Sequence, residues 1–426
     1  MDEIRELWER IGLNMEAHDG LLEVLPGIYN EVIIEQKNRP SRMAYFDQFF
    51  SEIHGKRIAE LASEKEKGAS TVGAFCTYVP EEIIIALGGN CIGLCGGAEV
   101  ATEEVEKILP RNTCPLIKSS FGFKLAKVCP YFELCDLVVG ETTCDGKKKY
   151  YEILSDFVPV HVMELPQKKE ESSKELWRKE VRKFAAKMEK VSGRKLDAGK
   201  LSEAVRVVNE KRRALKRLAE VRKAKPSVIS GKDSLLISQI AFFDEPRRFT
   251  ARLNELCDEL EKRVEKGTGV SEDGSLRIML SGCPMAIPNW KLPHIIEGMG
   301  ATIVIEELCT GTRYYEDIVS EEEGNLEELL DSIAERYLSI DCAVFTPNDE
   351  RIENIKRLAG EYKPDGIIYY SLVFCSPYSI EAYRAKKAVE SCGIPFLHVE
   401  TDYGTGDASL IMNRVQAFFE VIKGGK

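Results

Sequence analysis

Apolar and polar positions divide the chain into four stretches. Residues 1–68 carry helical spacing in MDEIRELWERI and again from Met43 to Ser63. Leu21 to Gln36 is less regular, NRPS at 38–41 interrupts it, and the polar SEKEKGAS at 63–70 reads as a linker. Residues 69–166 alternate short apolar runs with helical patterns. Strands are expected at TVGAFC (71–76), CIGLC (91–95), around Leu137, and at FVPVHVMEL (157–165). The helices PEEIIIAL and VATEEVEKIL lie between them, the first with Pro and two acids in its opening turn. Residues 167–272 are charged and helical, with amphipathic helices at 174–190 and 201–225, where Pro226 stops the second. Residues 273–426 return to strands at 276–283, 301–309, 365–375 and 393–401, with a short one at 341–345 and a closing helix at 408–423.

Strands alternating with helices predict an α/β protein. Two Rossmann-like α/β domains with parallel sheets are expected, with an N-terminal and a central helical segment. The boundaries fall at 1–68, 69–166, 167–272 and 273–426.

Residues 136–151, DLVVGETTCDGKKKYY, show the local logic most clearly. An apolar run stops at Gly140, a polar turn follows, and Cys144 stands where a helix begins. Ligands of open α/β sheets bind at that end of the strands. The same pattern recurs in GIIYYSLVFC, where Cys375 follows a strand and Pro377 opens a helix. The halves correspond further: first strands end at Cys76 and Cys283, second strands at Cys95 and Cys309, later strands at Cys144 and Cys375. Two similar sheets with these edges facing each other would line a cleft with thiols, and a metal cluster is the expected occupant.

Composition narrows the chemistry. Thirteen cysteines, seven of them between Cys76 and Cys144, are an odd number in a chain of 426 residues with room for a large core. This speaks for metal or redox chemistry over a disulfide framework. The charged N-terminus and the absence of a long apolar run predict a cytoplasmic protein with no membrane partner. A net charge of −11 predicts no nucleic-acid partner. The basic run Lys211, Arg212, Arg213, Lys216 and Arg217 reads as a solvated helix face.

Thiolates suit zinc, copper(I) or iron–sulfur clusters. Only Cys91 and Cys95 have zinc-ligand spacing, with no second pair, and the C-x₂-C-x₂-C run of ferredoxins is absent. Dispersed thiols at strand ends fit a cluster assembled by the tertiary fold. Cys114, Cys129 and Cys283 each precede proline, which places each near an expected helix start, where N–H groups stabilise a thiolate. No phosphate-binding P-loop, HExxH, GxSxG or GxGxxG occurs. The chain itself is therefore not expected to hydrolyse ATP. Gly311-TRYY and Gly404-TGD read as ordinary turns, and His161 and His398 as core histidines.

FCTYVPEEIIIALG, RNTCPLIKSS, CPYFELCDLVVGETTCDGKKKYYEIL, GCP, EELCTGTRYYE and ETDYGTGD resemble the 2-hydroxyacyl-CoA dehydratase / benzoyl-CoA reductase superfamily, from about residue 70 onward. Within it the chain is similar to the double-cubane cluster proteins. That resemblance implies a homodimer with an [8Fe–9S] double cubane in each subunit, two [4Fe–4S] units joined by a sulfide. A separate ATP-hydrolysing [4Fe–4S] activator would charge it, in an anaerobe, for reduction of small molecules such as acetylene, azide or hydrazine. By motif, Cys114, Cys144 and Cys375 match one cubane's ligands. Cys76, Cys95 and Cys129 are the candidates for the other, with Cys309 and then Cys283 in reserve. Cys91, Cys135, Cys257, Cys342 and Cys392 are read as structural. The resemblance leaves two alternatives: a dehydratase or acyl-CoA reductase subunit with a single [4Fe–4S] cluster, and a non-catalytic electron-transfer protein.

Overall fold

The computed structural model describes residues 2–272 and 274–425. Two four-stranded parallel sheets form its frame. The first comprises β1 (Thr71–Ala74), β2 (Asn90–Gly93), β3 (Leu137–Glu141) and β4 (Val160–Met163), in the order β2-β1-β3-β4. The second comprises β5 (Arg277–Gly282), β6 (Thr302–Glu307), β7 (Gly366–Leu372) and β8 (Phe396–Thr401), in the order β6-β5-β7-β8. Both sheets thus follow one plan, first strand inside, second strand on one flank, third and fourth on the other. Every residue of β3, β5, β6 and β7 is buried, as expected of parallel strands covered on both faces. The chain reverses its direction of winding between β1 and β3, and again between β5 and β7. A crevice opens at the carboxyl ends of the strands at such points.

Helices fill the remaining layers. Ala198–Val221 is N-capped by Asp197, whose carboxylate accepts the Lys200 N–H at 2.9 Å. Leu201, Val205, Val208 and Leu215 of that helix are buried at helical spacing. It packs on the short helix Glu81–Ala86 of the first sheet's layer and on Pro246–Glu265. The basic run on it differs from its expected solvated face. Lys211 and Arg212 are buried, paired with Glu81 at 2.5 Å and Glu82 at 2.7 Å, because that face meets the Glu81–Ala86 helix. Arg213 and Lys216 lie at the surface, paired with Glu321 and Glu316.

Three further local expectations are corrected. Residues 341–345 form no strand: the Cys342 carbonyl accepts both the Phe345 N–H and the Asn348 side-chain amide, which curls the segment into a turn. The irregular 21–36 stretch continues the helix Met15–Tyr29 into a wider turn over Asn30–Ile34. Cys283–Pro284 opens no helix; the next one is Lys291–Gly298, and the Cys283 N–H bonds to the Tyr370 carbonyl.

The halves meet through buried polar contacts and one close backbone approach. The Tyr78 hydroxyl donates to the Ile340 carbonyl at 2.9 Å, and the Tyr337 hydroxyl to Glu82 at 2.8 Å. The Gly97 N–H donates to the Ile287 carbonyl at 2.8 Å, and a Cβ on Gly97 would stand 2.1 Å from the Ala286 oxygen. Only glycine lets the loop after Cys95 touch the loop after Cys283.

Candidate functional site: a thiol-lined cavity between the sheets

The facing strand ends enclose a cavity of about 150 Å³. A cavity of about that size in an apolar core accepts benzene. Nine cysteines line it: Cys76, Cys91, Cys95, Cys114, Cys144, Cys283, Cys309, Cys342 and Cys375. The first three strands of each sheet each supply one just beyond the end. Cys76 follows β1, Cys95 β2, Cys144 β3, Cys283 β5, Cys309 β6 and Cys375 β7.

Three of these thiols stand at helix N-termini. Cys114 precedes Pro115–Leu125, Cys144 precedes Asp145–Leu154, and Cys375 precedes Ser376–Ser391. The Cys144 Sγ accepts the Lys147 N–H at 3.5 Å. Free N–H groups and the helix dipoles therefore converge where a thiolate or sulfide would carry charge. Cys375 is electrostatically linked to both Cys114 and Cys283. Cys76, Cys309 and Cys342 form a second electrostatically linked group.

Burial governs the thiols' acidity. It pushes Cys95 up to about 12, and lifts Cys76 and Cys144 as well. Cys342 rises to about 11 for the same reason, aided by Cys309. Cys114 is raised first by Cys375 and then by burial. Burial thus favours the neutral thiol at each of these sulfurs, and a metal bound there would displace protons.

The donor chemistry fits an iron–sulfur group. The ligand set is soft, and among the described residues no three or more His, Cys, Asp or Glu side chains converge tightly enough to hold a single metal ion. The sulfurs surround a space instead of a point. Buried hydroxyls without partners lie nearby: those of Tyr150 and Tyr151, electrostatically linked to Cys95, and that of Tyr403, linked to Cys114 and Cys283. Sulfur acceptors in the cavity would offer such donors partners.

Of the six sulfurs suggested by sequence, the cavity brings together Cys76, Cys95, Cys114, Cys144 and Cys375. Cys129 is not among the lining residues. It precedes the short helix Pro130–Leu134, and burial pushes it up to about 11 among Phe132, Tyr131, Glu133 and Lys124. Both reserves, Cys283 and Cys309, line the cavity, and so do Cys91 and Cys342.

Sequence reasoning passed over the buried charges around the cavity. Lys147 donates to Glu141 at 2.6 Å, and Glu141 is wholly buried. Burial pushes the Lys147 ammonium down, but Glu141 outweighs it and holds that group well above its usual range. In the other half Arg313 and Arg351 hold the buried Glu307 at 3.1 and 2.8 Å. Arg313 belongs to the Gly311 loop, so that loop's cation is spent inside the fold. The Gly404 loop is likewise tied down, its carbonyl accepting Lys291 at 2.6 Å. His398 bonds to Ser371 at 2.7 Å, and His161 stacks on Phe184.

An open cleft of about 1270 Å³ reaches the cavity from outside, and Cys114, Cys144 and Cys375 line both. Phe374, Ile380 and Tyr383 stand exposed on its wall.

The family described as 2-hydroxyglutaryl-CoA dehydratase, D-component, matches residues 76–422. The chain belongs to this family, within the 2-hydroxyacyl-CoA dehydratase / benzoyl-CoA reductase superfamily. A putative dehydratase subunit of Escherichia coli, YjiM, is 38% identical over 89% of this chain and 98% of its own length. The (R)-phenyllactyl-CoA dehydratase beta subunit of Clostridium sporogenes is 24% identical over 89% of this chain and all of its own. The (R)-2-hydroxyglutaryl-CoA dehydratase beta subunit of Acidaminococcus fermentans is 21% identical over 87% and 97%. The dehydratase-family match begins at Cys76 and includes every cavity thiol. No helix among the described residues is long and apolar enough to cross a membrane.

Proposed function

We propose that this dehydratase-family chain is an iron–sulfur reductase whose thiol cavity holds a double-cubane [8Fe–9S] cluster. The observation that carries the reading is the crowding of nine cysteines around one cavity between the sheets. A single cubane taking three thiols would leave most of them without a role. Cys114, Cys144 and Cys375 would hold one cubane beneath three helix N-termini. Cys76 and Cys95 would serve the other, with Cys309 or Cys283, which line the cavity, taken in place of Cys129, which does not.

When bound, such a group supplies low-potential electrons, its potential set by charge, hydrogen bonds and burial. The chain contributes the rest. Helix N-termini offset negative charge, Tyr150 and Tyr151 offer hydroxyls, and the apolar walls exclude water. Substrates would be small molecules of the acetylene, azide or hydrazine kind. An ATP-hydrolysing activator would deliver the electrons to a cytoplasmic homodimer.

One observation favours a second reading, an acyl-CoA dehydratase or reductase subunit with a single [4Fe–4S] cluster. The large outer cleft opens onto the Cys114, Cys144 and Cys375 thiols and has room for a bulky substrate. Iron and acid-labile sulfide in anaerobically purified protein separate the two. About eight irons per chain supports the double cubane, and about four the single cluster. A chain without iron refutes both. Cys144→Ala should lower the iron content by at least one cubane, and full retention would exclude Cys144 as a required ligand.

A further inference from the structure

Behind the thiol cavity lies a second one, of about 420 Å³, with more charged side chains in its wall than the first. Arg57, Lys200, Glu203, Lys211, Asp244 and Arg247 line it. A polar space of that size accommodates ordered water. Glu81, Cys91 and Ala241 line both cavities, so the two share a wall.

Glu81 sits in that wall at 7% exposure and is bonded on both sides. Its Oε2 accepts the Lys211 ammonium at 2.5 Å, from the polar side. Its Oε1 accepts the Tyr314 hydroxyl at 2.6 Å, from the thiol side. The other charged and titratable neighbours are engaged elsewhere. Arg212, 4.0 Å away, is paired with Glu82 at 2.7 Å, and the Tyr337 hydroxyl takes the Glu81 N–H and donates to Glu82. Apolar residues would dock these helices without the cost of desolvating a charged pair. The hydrogen-bonded chain is what they would not provide.

We propose that Lys211, Glu81 and Tyr314 relay protons from the polar cavity to a molecule being reduced in the thiol cavity. This rests on the reductive reading of that cavity. Reduction by two electrons consumes two protons (X + 2e⁻ + 2H⁺ → XH₂), the electrons coming from a low-potential iron–sulfur donor. For each proton, Tyr314 gives up its phenolic hydrogen to the molecule being reduced, Lys211 passes a proton to the Glu81 carboxylate, and Glu81 passes it on to Tyr314. Water then reprotonates Lys211. Every group ends as it began, and one proton crosses for each electron.

The test uses the iron-loaded protein with acetylene as substrate and two variants, Glu81→Gln and Tyr314→Phe. The second keeps the Glu81–Lys211 pair and breaks only the end at the thiol cavity. Iron content and the rate of absorbance bleaching on reduction should match the wild type, since electron uptake does not use the relay. Turnover should fall at least tenfold, with a larger solvent deuterium effect and a shifted pH profile, and small weak acids should restore part of it. Tyr314→Phe with full iron and more than half of the turnover, at an unchanged isotope effect, overturns the relay. Loss of iron in both variants does so too, by making the residues structural. A wild-type chain that takes up iron but fails to reduce any small molecule refutes the reductive reading itself, a result visible before any variant is made.

Discussion

Replacing Lys147 by Met tests whether the thiol cavity is built around a buried charge pair. Glu141 ends β3 with no solvent exposure, and Lys147 is its cation at 2.6 Å. Without Lys147, the carboxylate keeps only the Thr143 hydroxyl at 3.2 Å, and its other oxygen has no partner already. Stranding a buried charge in this way costs about 3–5 kcal/mol. That is a large share of the roughly 5–15 kcal/mol that typically holds a domain together. The loss should appear in urea unfolding of the reduced, metal-free protein, in the transition that includes the first sheet. Glu141→Gln introduced into the Lys147→Met chain removes the stranded charge and should recover more than half of the loss. Lys147→Met alone also removes a cation that lowers the Cys76 and Cys95 thiols, so alkylation of Cys95 should slow in the single variant. A loss below about 1 kcal/mol, or a double variant no more stable than the single one, would refute the argument.

Other expectations follow from geometry and charge. His54 shares a 3.0 Å hydrogen bond with His18, and burial lowers it to about 3. Its unfolded form protonates near pH 6.5 while the folded form does not, so stability should fall as the pH drops from about 6.5 toward 3, by up to about 1.4 kcal/mol per unit. His54→Gln should flatten that slope between pH 6.5 and 5, and an unchanged slope would assign it to other groups. Gly97→Ala drives a Cβ to 2.1 Å from the Ala286 carbonyl oxygen, where backbone cannot yield. It should cost about 1–3 kcal/mol in a thermal melt and lower iron uptake by parting the loops after Cys95 and Cys283. Cys129→Ala should leave iron content unchanged, whereas Cys283→Ala should lower it if Cys283 supplies a sixth sulfur.

The sheets were legible because parallel strands buried on both faces are written as continuous apolar runs, as in Leu137 to Val139 and Ile278 to Leu280. Their order was not legible, since periodicity reports which way a side chain points and nothing about which strand lies alongside. The charged face of Ala198–Val221 shows the same limit. Lys211 and Arg212 look like solvent residues until Glu81 and Glu82, 130 positions earlier, are folded against them. Cys129 and Cys114 carry the same local Cys-Pro signature. What the following helix start faces separates them, and that is a property of the whole sheet. Cys342 had no signal at all, for it lies in a turn outside any strand or helix.

Dispersed thiols make sense once the two sheets are seen to follow one winding order. Each sheet opens a crevice where its winding reverses, and each sets a cysteine beyond three of its strands. Neither half alone encloses the cavity: Cys76, Cys95, Cys114 and Cys144 come from the first, Cys283, Cys309 and Cys375 from the second. A group bound there would cross-link the halves, and its binding energy would add to the stability of their interface. The reverse also holds. The halves already meet without it, through Glu82 and Tyr337, Tyr78 and the Ile340 carbonyl, and Gly97 and Ile287. The contacts between the halves therefore set the spacing of the sulfurs around the cavity, independently of any bound group. On the proposed reading the ligands need no local sequence motif: the interface between the halves would supply the spacing that a C-x₂-C run supplies in a small iron–sulfur protein.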